Sequence, residues 1–514
     1  VIGRSFGRPL SGRPLRGRQW SAPVRVAGGR RSAGGAVTSV AFEQTDSAVD
    51  ATEGATSWTF ADLEIGDAAA DRITLLAVYT HMEYGGNSYV SVQVDGNDAQ
   101  PVSLAFDLRR NHGDGQWSSW WAIANPTGTT ATIEIVENGG NSAEGVTGCA
   151  VDVYRLTGAD IRPVGADCDT YRGTAGTDDT GAELGALSAE AYVPLGGVTL
   201  AAHSAYHLAT TATLTWDGAT SDHSFELFSN DTRCVVAAYE PDADGLHTIS
   251  IDNDASDEVT GSLALVSFAP TGGYALPSGI GRKWAKGGVI SNFFNASTTD
   301  PFVLPVNLGP PAANRKVLLF VGGVMGSSTS GTASVSVDGH DGNGGHSATR
   351  LIGPINRVLF DSFSFTEIWL LDNQDLAAGF VTLTPNDLVY GFGVGAVPIY
   401  GFDTSAAADT ASDMFHAAED GAARDVSLVL DVPANGIAAA CWCATSPVLP
   451  IASSWSSGLT EVGTTGIFLL NWLAWGVYEA GGSLESGHTI VAPTATVTNG
   501  TDEWEAAAVS FAPA

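Results

Sequence analysis

Arg72-Ile-Thr-Leu-Leu-Ala-Val78 and Arg315-Lys-Val-Leu-Leu-Phe-Val321 stand 243 residues apart and align position for position. The same offset, without a gap, matches Val94-Asp-Gly-Asn-Asp98 to Val337-Asp-Gly-His-Asp341, and Val266-Ser-Phe-Ala-Pro270 to Val509-Ser-Phe-Ala-Pro513. Three matches at one spacing mark an internal duplication. Fainter echoes lie between them, Tyr239-Glu240 with Tyr478-Glu479 and His247-Thr-Ile249 with His488-Thr-Ile490. The repeated unit runs from about residue 37 to 270 and again from about 282 to 514, and each copy is large enough for two domains.

Outward from these anchors the apolar period is two. Tyr89-Val-Ser-Val-Gln-Val94, Ala131-Thr-Ile-Glu-Ile-Val136, Ser334-Val-Ser-Val337 and Val381-Thr-Leu-Thr384 alternate and are rich in β-branched residues, which predicts half-buried strands. Between such runs stand Asp95-Gly96, Asp217-Gly218, Asp338-Gly339 and Asn499-Gly500, pairs that tolerate the positive φ of hairpin turns. The chain holds 62 glycines and only 15% charged residues, a composition that suits short strands and tight turns. A length of 514 residues exceeds what one core supports. The expected fold is therefore all-β, a tandem of antiparallel sandwiches of the jelly-roll or immunoglobulin-like kind in a duplicated two-domain arrangement. Changes of theme after Gly158 and Gly401 place the sandwiches at 38–160, 161–275, 282–402 and 403–514, behind an extended arm at 1–37.

That arm differs in kind. Eight of the 23 basic residues (Arg4, Arg8, Arg13, Arg16, Arg18, Arg25, Arg30 and Arg31) precede the first acid, Glu43, which leaves 15 basic residues against all 56 acidic ones in the remainder. The arm has no hydrophobic period and is expected to be disordered when free. Its repeated Gly7-Arg-Pro-Leu10 and Gly12-Arg-Pro-Leu15, its choice of arginine over lysine, and the interleaved Phe6, Leu10, Leu15 and Trp20 favour docking into an acidic groove of a partner protein. A solvated tail is the plainer alternative. The negative body repels nucleic acid and anionic membranes, no run approaches the roughly 20 apolar residues of a membrane span, and the N-terminus lacks the apolar core of a secretory signal. Release from a cell would take another route, such as lysis.

Five cysteines, Cys149, Cys168, Cys234, Cys441 and Cys443, are odd in number and irregular in spacing, so buried free thiols are expected rather than disulfides. Asp95, Asp98, Asp338 and Asp341 could lend oxygens to calcium, but Asp-Gly hairpins explain them without metal. Asp252-Asn-Asp-Ala-Ser-Asp-Glu258 starts like a calcium loop yet lacks the glycine and glutamate that such a loop needs at its sixth and twelfth positions. No nucleophile elbow, His-Glu-x-x-His or phosphate loop occurs, so neither an enzyme nor a cofactor is expected. Trp117, Trp120 and Trp121 cluster ahead of a strand, with Trp369 in the related place of the second copy. Trp121 and Trp369 read as core, and Trp117 as a candidate contact for sugar rings.

Taken together, Arg72-Ile-Thr-Leu-Leu-Ala-Val78, the strand ending Val94-Asp-Gly96, Asn125-Pro-Thr-Gly-Thr-Thr-Ala-Thr-Ile133 and Val151-Asp-Val-Tyr-Arg-Leu156 resemble β-sandwich modules in virion proteins of tailed bacteriophages and gene transfer agents. The likeness covers residues 40–158 and, less closely, 300–402, where Asn373-Gln-Asp-Leu-Ala-Ala replaces the Asn-Pro-Thr-Gly-Thr-Thr turn. It implies a fibre, spike or decoration of the extracellular particle. Arg4, Arg8, Arg13, Arg16, Arg18 and Trp20 would anchor it to capsid, neck or tail proteins, while a symmetric homo-oligomer of the acidic body projects toward host surface polysaccharide. A free carbohydrate-binding protein and, after it, a polysaccharide-degrading enzyme are the alternatives.

Overall fold

Every regular element among the described residues is a strand. The structure is a computed structural model and describes residues 39–52, 54–82, 89–108, 115–125, 127–138, 146–170, 187–207, 214–228, 232–253, 258–272, 301–325, 331–338, 345–359, 362–373, 375–387, 389–416, 428–445, 460–468, 471–479, 489–490 and 503–514. Residues 37–514 form one compact unit.

In the first sandwich the strands are β1 (Ala41–Asp50), β2 (Ser57–Glu64), β3 (Ile73–Met82), β4 (Tyr89–Val94) and β5 (Asn97–Asp98), followed by β6 (Gln100–Leu108), β7 (Gly115–Ala124), β8 (Thr130–Asn138) and β9 (Val146–Thr157). The sheet β1-β9-β3-β7-β6 faces the sheet β2-β8-β4-β5, the interleaved order of a jelly roll. The second sandwich contains β10 (Gly165–Thr170), β11 (Leu187–Val193), β12 (Val198–His207), β13 (Leu214–Asp217), β14 (Thr220–Phe228), β15 (Thr232–Tyr239), β16 (Gly245–Asn253) and β17 (Glu258–Phe268). Its sheets, β10-β17-β12-β15-β14 and β11-β16-β13, repeat the same order.

The third sandwich comprises β18 (Phe302–Asn307), β19 (Arg315–Met325), β20 (Thr332–Asp338), β21 (His346–Leu359), β22 (Ser362–Leu371), β23 (Ala378–Pro385) and β24 (Val389–Tyr400). Here the long β21 pairs with β20 at its start and with β22 thereafter, which joins β18-β23-β20 to β22-β19-β24. The fourth is built from β25 (Phe402–Asp403), β26 (Asp409–His416), β27 (Asp431–Val432), β28 (Ile437–Thr445), β29 (Thr460–Phe468), β30 (Asn471–Glu479), β31 (Thr489–Ile490) and β32 (Glu503–Pro513). It follows the order β25-β32-β28-β30-β29 with β26 also on β32, opposite β27-β31.

The sandwiches do not hang as separate beads. Along β3, Leu76 and Val78 point into the first sandwich, while Leu75, Ala77 and Tyr79 point the other way, against Leu200, Ala202, Val236, Ala264 and Val266 of the second. The sheet holding β3 is thus buried on both faces, which matches the unbroken apolar run from Leu75 to Tyr79. The outer sheet alternates, with Val90, Val92 and Val94 inside and Glu134 outside. In the second copy, Leu318 and Phe320 of β19 lie against Ala439, Cys441, Val509 and Phe511. Each copy is a four-layer stack, and within each the two central sheets meet in opposite strand order. In the first, β6 packs on β10, β7 on β17 and β12, β3 on β15 and β9 on β14; in the second, β21 and β22 pack on β32, β19 on β30 and β24 on β29. This reversal gives each stack an approximate two-fold relation between its sandwiches.

The anchoring arginines of the repeat are buried, and both are spent on the backbone. Arg72 donates to the carbonyls of Asn125 (2.5 Å), Gly66 (2.7 Å), Gly128 (2.9 Å) and Thr127 (2.6 Å). Arg315 donates to those of Asn373 (3.1 and 3.0 Å), Leu308 (3.3 Å), Gly309 and Leu376 (2.6 Å), and to Asn373 Oδ1 (3.1 Å). Burial lowers the Arg315 guanidinium to about 10, still charged at neutral pH. The turns after Asn125 and Asn373 differ in sequence yet do the same work, because the guanidinium fork reads mainly backbone oxygens, which any residue can supply. Arg72→Met or Arg315→Met strands several buried carbonyls and is expected to lower stability by about 3 kcal/mol or more, read by urea unfolding. The lysine variants should recover little, since an ammonium cannot span both loops.

Candidate functional site

The residues singled out by sequence divide into three groups. Arg4, Arg8, Arg13, Arg16, Arg18 and Trp20 of the arm, and Asp341, lie outside the described residues. The aspartates that remain serve turns and strands: Asp95 (φ +49°) and Gly96 (φ +74°) both adopt the left-handed conformation that closes the hairpin from β4 to β5. Asp95 Oδ1 accepts from Thr132 N (2.8 Å), tying the turn to β8, and Asp98 Oδ1 accepts from Gln93 Nε2 (2.8 Å). Asp338 ends β20. Among the described residues no three His, Cys, Asp or Glu side chains gather as a metal site.

Trp117 is a correction. Its side chain is 1% exposed, and its ring stacks on Phe106 with centroids 4.6 Å apart, so it offers no face to a sugar. The three tryptophans of the cluster split by strand alternation. Trp117 and Trp121 point into the first sandwich, and Trp120 points to the second, donating to Ala264 O at 3.1 Å. Trp121 stands opposite Leu76, and Trp369 stands opposite Leu319 at the matching place in the second copy. Each indole donates two residues back along its own strand, Trp121 to Ser119 Oγ (2.9 Å) and Trp369 to Glu367 Oε2 (2.7 Å).

Several buried polar groups carried no signal in the sequence. Glu367 accepts from Thr332 N (3.1 Å) and Thr332 Oγ1 (2.6 Å) and lies 3.6 Å from Arg350, whose guanidinium sits 4.6 Å above the Trp369 ring. Burial raises its carboxyl, opposed by the Thr332 hydrogen bond and by Arg350. Glu505 accepts from Ser364 Oγ (2.7 and 2.8 Å) between the central sheets of the second stack. At the same level of the first stack, Ser118, Ser204 and Ser262 bond one another instead, at 2.9 to 3.2 Å. All five cysteines are buried and unbridged, and burial pushes the Cys441 thiol up to about 12 and those of Cys149, Cys234 and Cys443 well above the ordinary range. These thiols stay protonated at neutral pH and are poor nucleophiles.

The closest thing to a built recognition site lies between the two copies. Asn307, fully buried at the end of β18, donates from Nδ2 to Leu104 O (3.1 Å) and accepts at Oδ1 from Leu104 N (2.8 Å), satisfying the outer edge of β6 as a neighbouring strand would. Phe380 on the outer face of β23 lies 6.3 Å from the rings of both Trp117 and Trp121, so the cores of the first and third sandwiches are continuous. Nothing before Asn307 or Phe380 in the sequence distinguishes them from ordinary strand residues. Elsewhere the described body is sparing with apolar surface. Val49 on β1, Leu246 on β16 and Val429 ahead of β27 are its large exposed hydrophobics. No described helix is long and apolar enough to cross a membrane.

No protein-family model matches the chain, and neither does any curated protein.

One buried group makes stability depend on pH. His81 is 2% exposed, its neutral ring meets Gln116 Nε2 at Nδ1 (2.7 Å), and burial lowers its pKa to about 4. The unfolded chain binds a proton on this residue near pH 6.5 and the folded chain does not. Its contribution is therefore intact above that pH and is lost as pH falls toward 4, by about 3 kcal/mol in all. Urea titrations from pH 7 to 4.5 should show the loss, and His81→Gln should flatten that part of the profile.

Proposed function

We propose that this chain is a structural protein of a tailed-phage-type particle, a projecting fibre, spike or decoration held by its arginine-rich arm. The observation that carries the reading is the charge division: eight arginines and no acid before Glu43, then 15 basic against 56 acidic residues. Arg4, Arg8, Arg13, Arg16, Arg18 and Trp20 dock into capsid, neck or tail proteins, where guanidinium forks pair with carboxylates and the indole fills an apolar niche.

The body suits projection. Its four jelly rolls share cores across their boundaries, which resists bending. Its scattered exposed hydrophobics supply no broad apolar docking face among the described residues. The jelly-roll fold itself serves both capsid proteins and lectins, so it does not choose between them. A free carbohydrate-binding role loses its one named contact with Trp117 in the core. Contacts with host surface polysaccharide, if the projecting body makes them, fall to polar side chains, and homo-oligomerisation in the particle follows from its symmetry.

Deleting residues 1–31 tests the anchor. The truncated chain should keep its β-rich circular dichroism and fail to co-sediment with particles, whereas unchanged incorporation would remove the arm from the mechanism. Raising salt should weaken attachment of the full chain, because ion pairs at an exposed interface are screened.

A further inference from the structure

The contact between the copies joins unlike surfaces. The first copy gives the edge of β6, and the second gives the outer face of the sheet holding β18 and β23. Each copy owns both kinds of surface by descent, so the same contact is available in principle between the edge of one chain's second copy and the face of the next chain's first copy. Contacts of this head-to-tail kind grow into filaments unless they close or are blocked.

Register identifies the equivalent residues. Ile65 N bonds Thr129 O in the first copy and Leu308 N bonds Ala377 O in the second, so Glu64, paired with Thr130, stands where Asn307, paired with Ala378, stands. Two residues along the partner strand, Thr132 takes the place of Phe380. The amide that clamps an edge is thus replaced by an exposed carboxylate, and the ring that fills a core by a small hydroxyl.

The edge has changed as well. Both copies carry a bulge at the same place, after Pro101 opposite Trp121 and after Arg350 opposite Trp369. Beyond it, Leu104 faces Ser119 in the first copy, whereas in the second an extra irregularity puts Gly353-Pro354 opposite Glu367, between Ile352 and Ile355. Pro354 has no N–H to offer an Asn307-like clamp. Gly353 has φ +100°, and a Cβ there would come 2.7 Å from Thr366 O, so the bulge admits no ordinary residue at that point. Prolines and bulges on an edge strand are a recognised means of preventing edge association.

We infer that both free ends of the tandem are capped against a second copy of this chain: Glu64 and Thr132 disable the face, Gly353-Pro354 disables the edge, and the docking made by Asn307 and Phe380 is used once per chain. The polar terminal repeats of solenoids solve the same problem in the same way.

The test restores each surface in the full chain. E64N/T132F rebuilds the face, replacement of Gly353-Pro354 by a single leucine rebuilds the edge, and a third variant carries both. Sedimentation velocity across a concentration series should show no face-to-edge association of the unaltered chain and self-association of the doubly restored variant at least about tenfold tighter than either partial one. A doubly restored variant that keeps its circular dichroism and sediments like the unaltered chain would overturn the inference. Should the shortened bulge prevent folding, N307E/F380T transplants the cap onto the internal face. It should lower the melting temperature and speed proteolysis of the chain, and an unchanged melt and digest would count against the assigned residues.

Discussion

Two sheets in each copy are covered on both sides, and the rest of the architecture follows from that constraint. A strand such as β3, with Leu75, Ala77 and Tyr79 on one face and Leu76 and Val78 on the other, cannot sit at the surface of a single sandwich. At roughly 1.5 to 3 kcal/mol for each large aliphatic side chain taken out of water, leaving the second face wet would consume the whole margin of a domain this size. The second sandwich is therefore the missing half of the first one's core. Polar groups admitted to the seam are paired there, the Ser118, Ser204 and Ser262 hydroxyls with one another and the Trp120 indole with the Ala264 carbonyl.

The same reasoning explains where duplication left its clearest trace. Arg72 and Arg315 each gather carbonyls from two loops, and a buried guanidinium tolerates no substitute of different shape. The loops that supply those carbonyls are free to change. Asn125 and Asn373 open turns of unrelated sequence, and only the positions of their oxygens matter. A difference that reads in sequence as the loss of a shared site is, in space, the same carbonyl cradle built from a loop of different sequence.

Much of this fold is legible in the sequence alone, and the limits have physical causes. Period-two runs such as Tyr89–Val94 gave the outer sheets, and Asp95-Gly96 gave a hairpin with both residues at positive φ. The unbroken apolar runs of β3, β19, β28 and β17 also announced sheets buried twice, a signal that the half-buried reading passed over. Trp117 reads in sequence as a surface contact and lies in the core, because alternation tells which residues share a face but not which face is wet. Asn307 and Phe380 were invisible, since their role depends on a partner surface 203 and about 260 residues earlier in the chain. The arm's arginines and Asp341 lie outside the described residues, so their roles rest on composition.

Divergence between the copies has a direction. Internally, Ser119 is matched by Glu367 beside Arg350, and Ser262 of the serine cluster by Glu505, which holds Ser364, exchanges that keep every layer in place while changing its chemistry. Externally, the changes fall on the two surfaces through which tandem copies of a jelly roll would stack on one another without end: a carboxylate where the clamp would be, and a proline on the edge. A body so finished presents an acidic exterior with little to hold another copy by stacking. On the proposed reading, attachment then falls to a segment of opposite charge, and in this chain eight arginines are gathered ahead of the first strand, leaving the body to carry the acids.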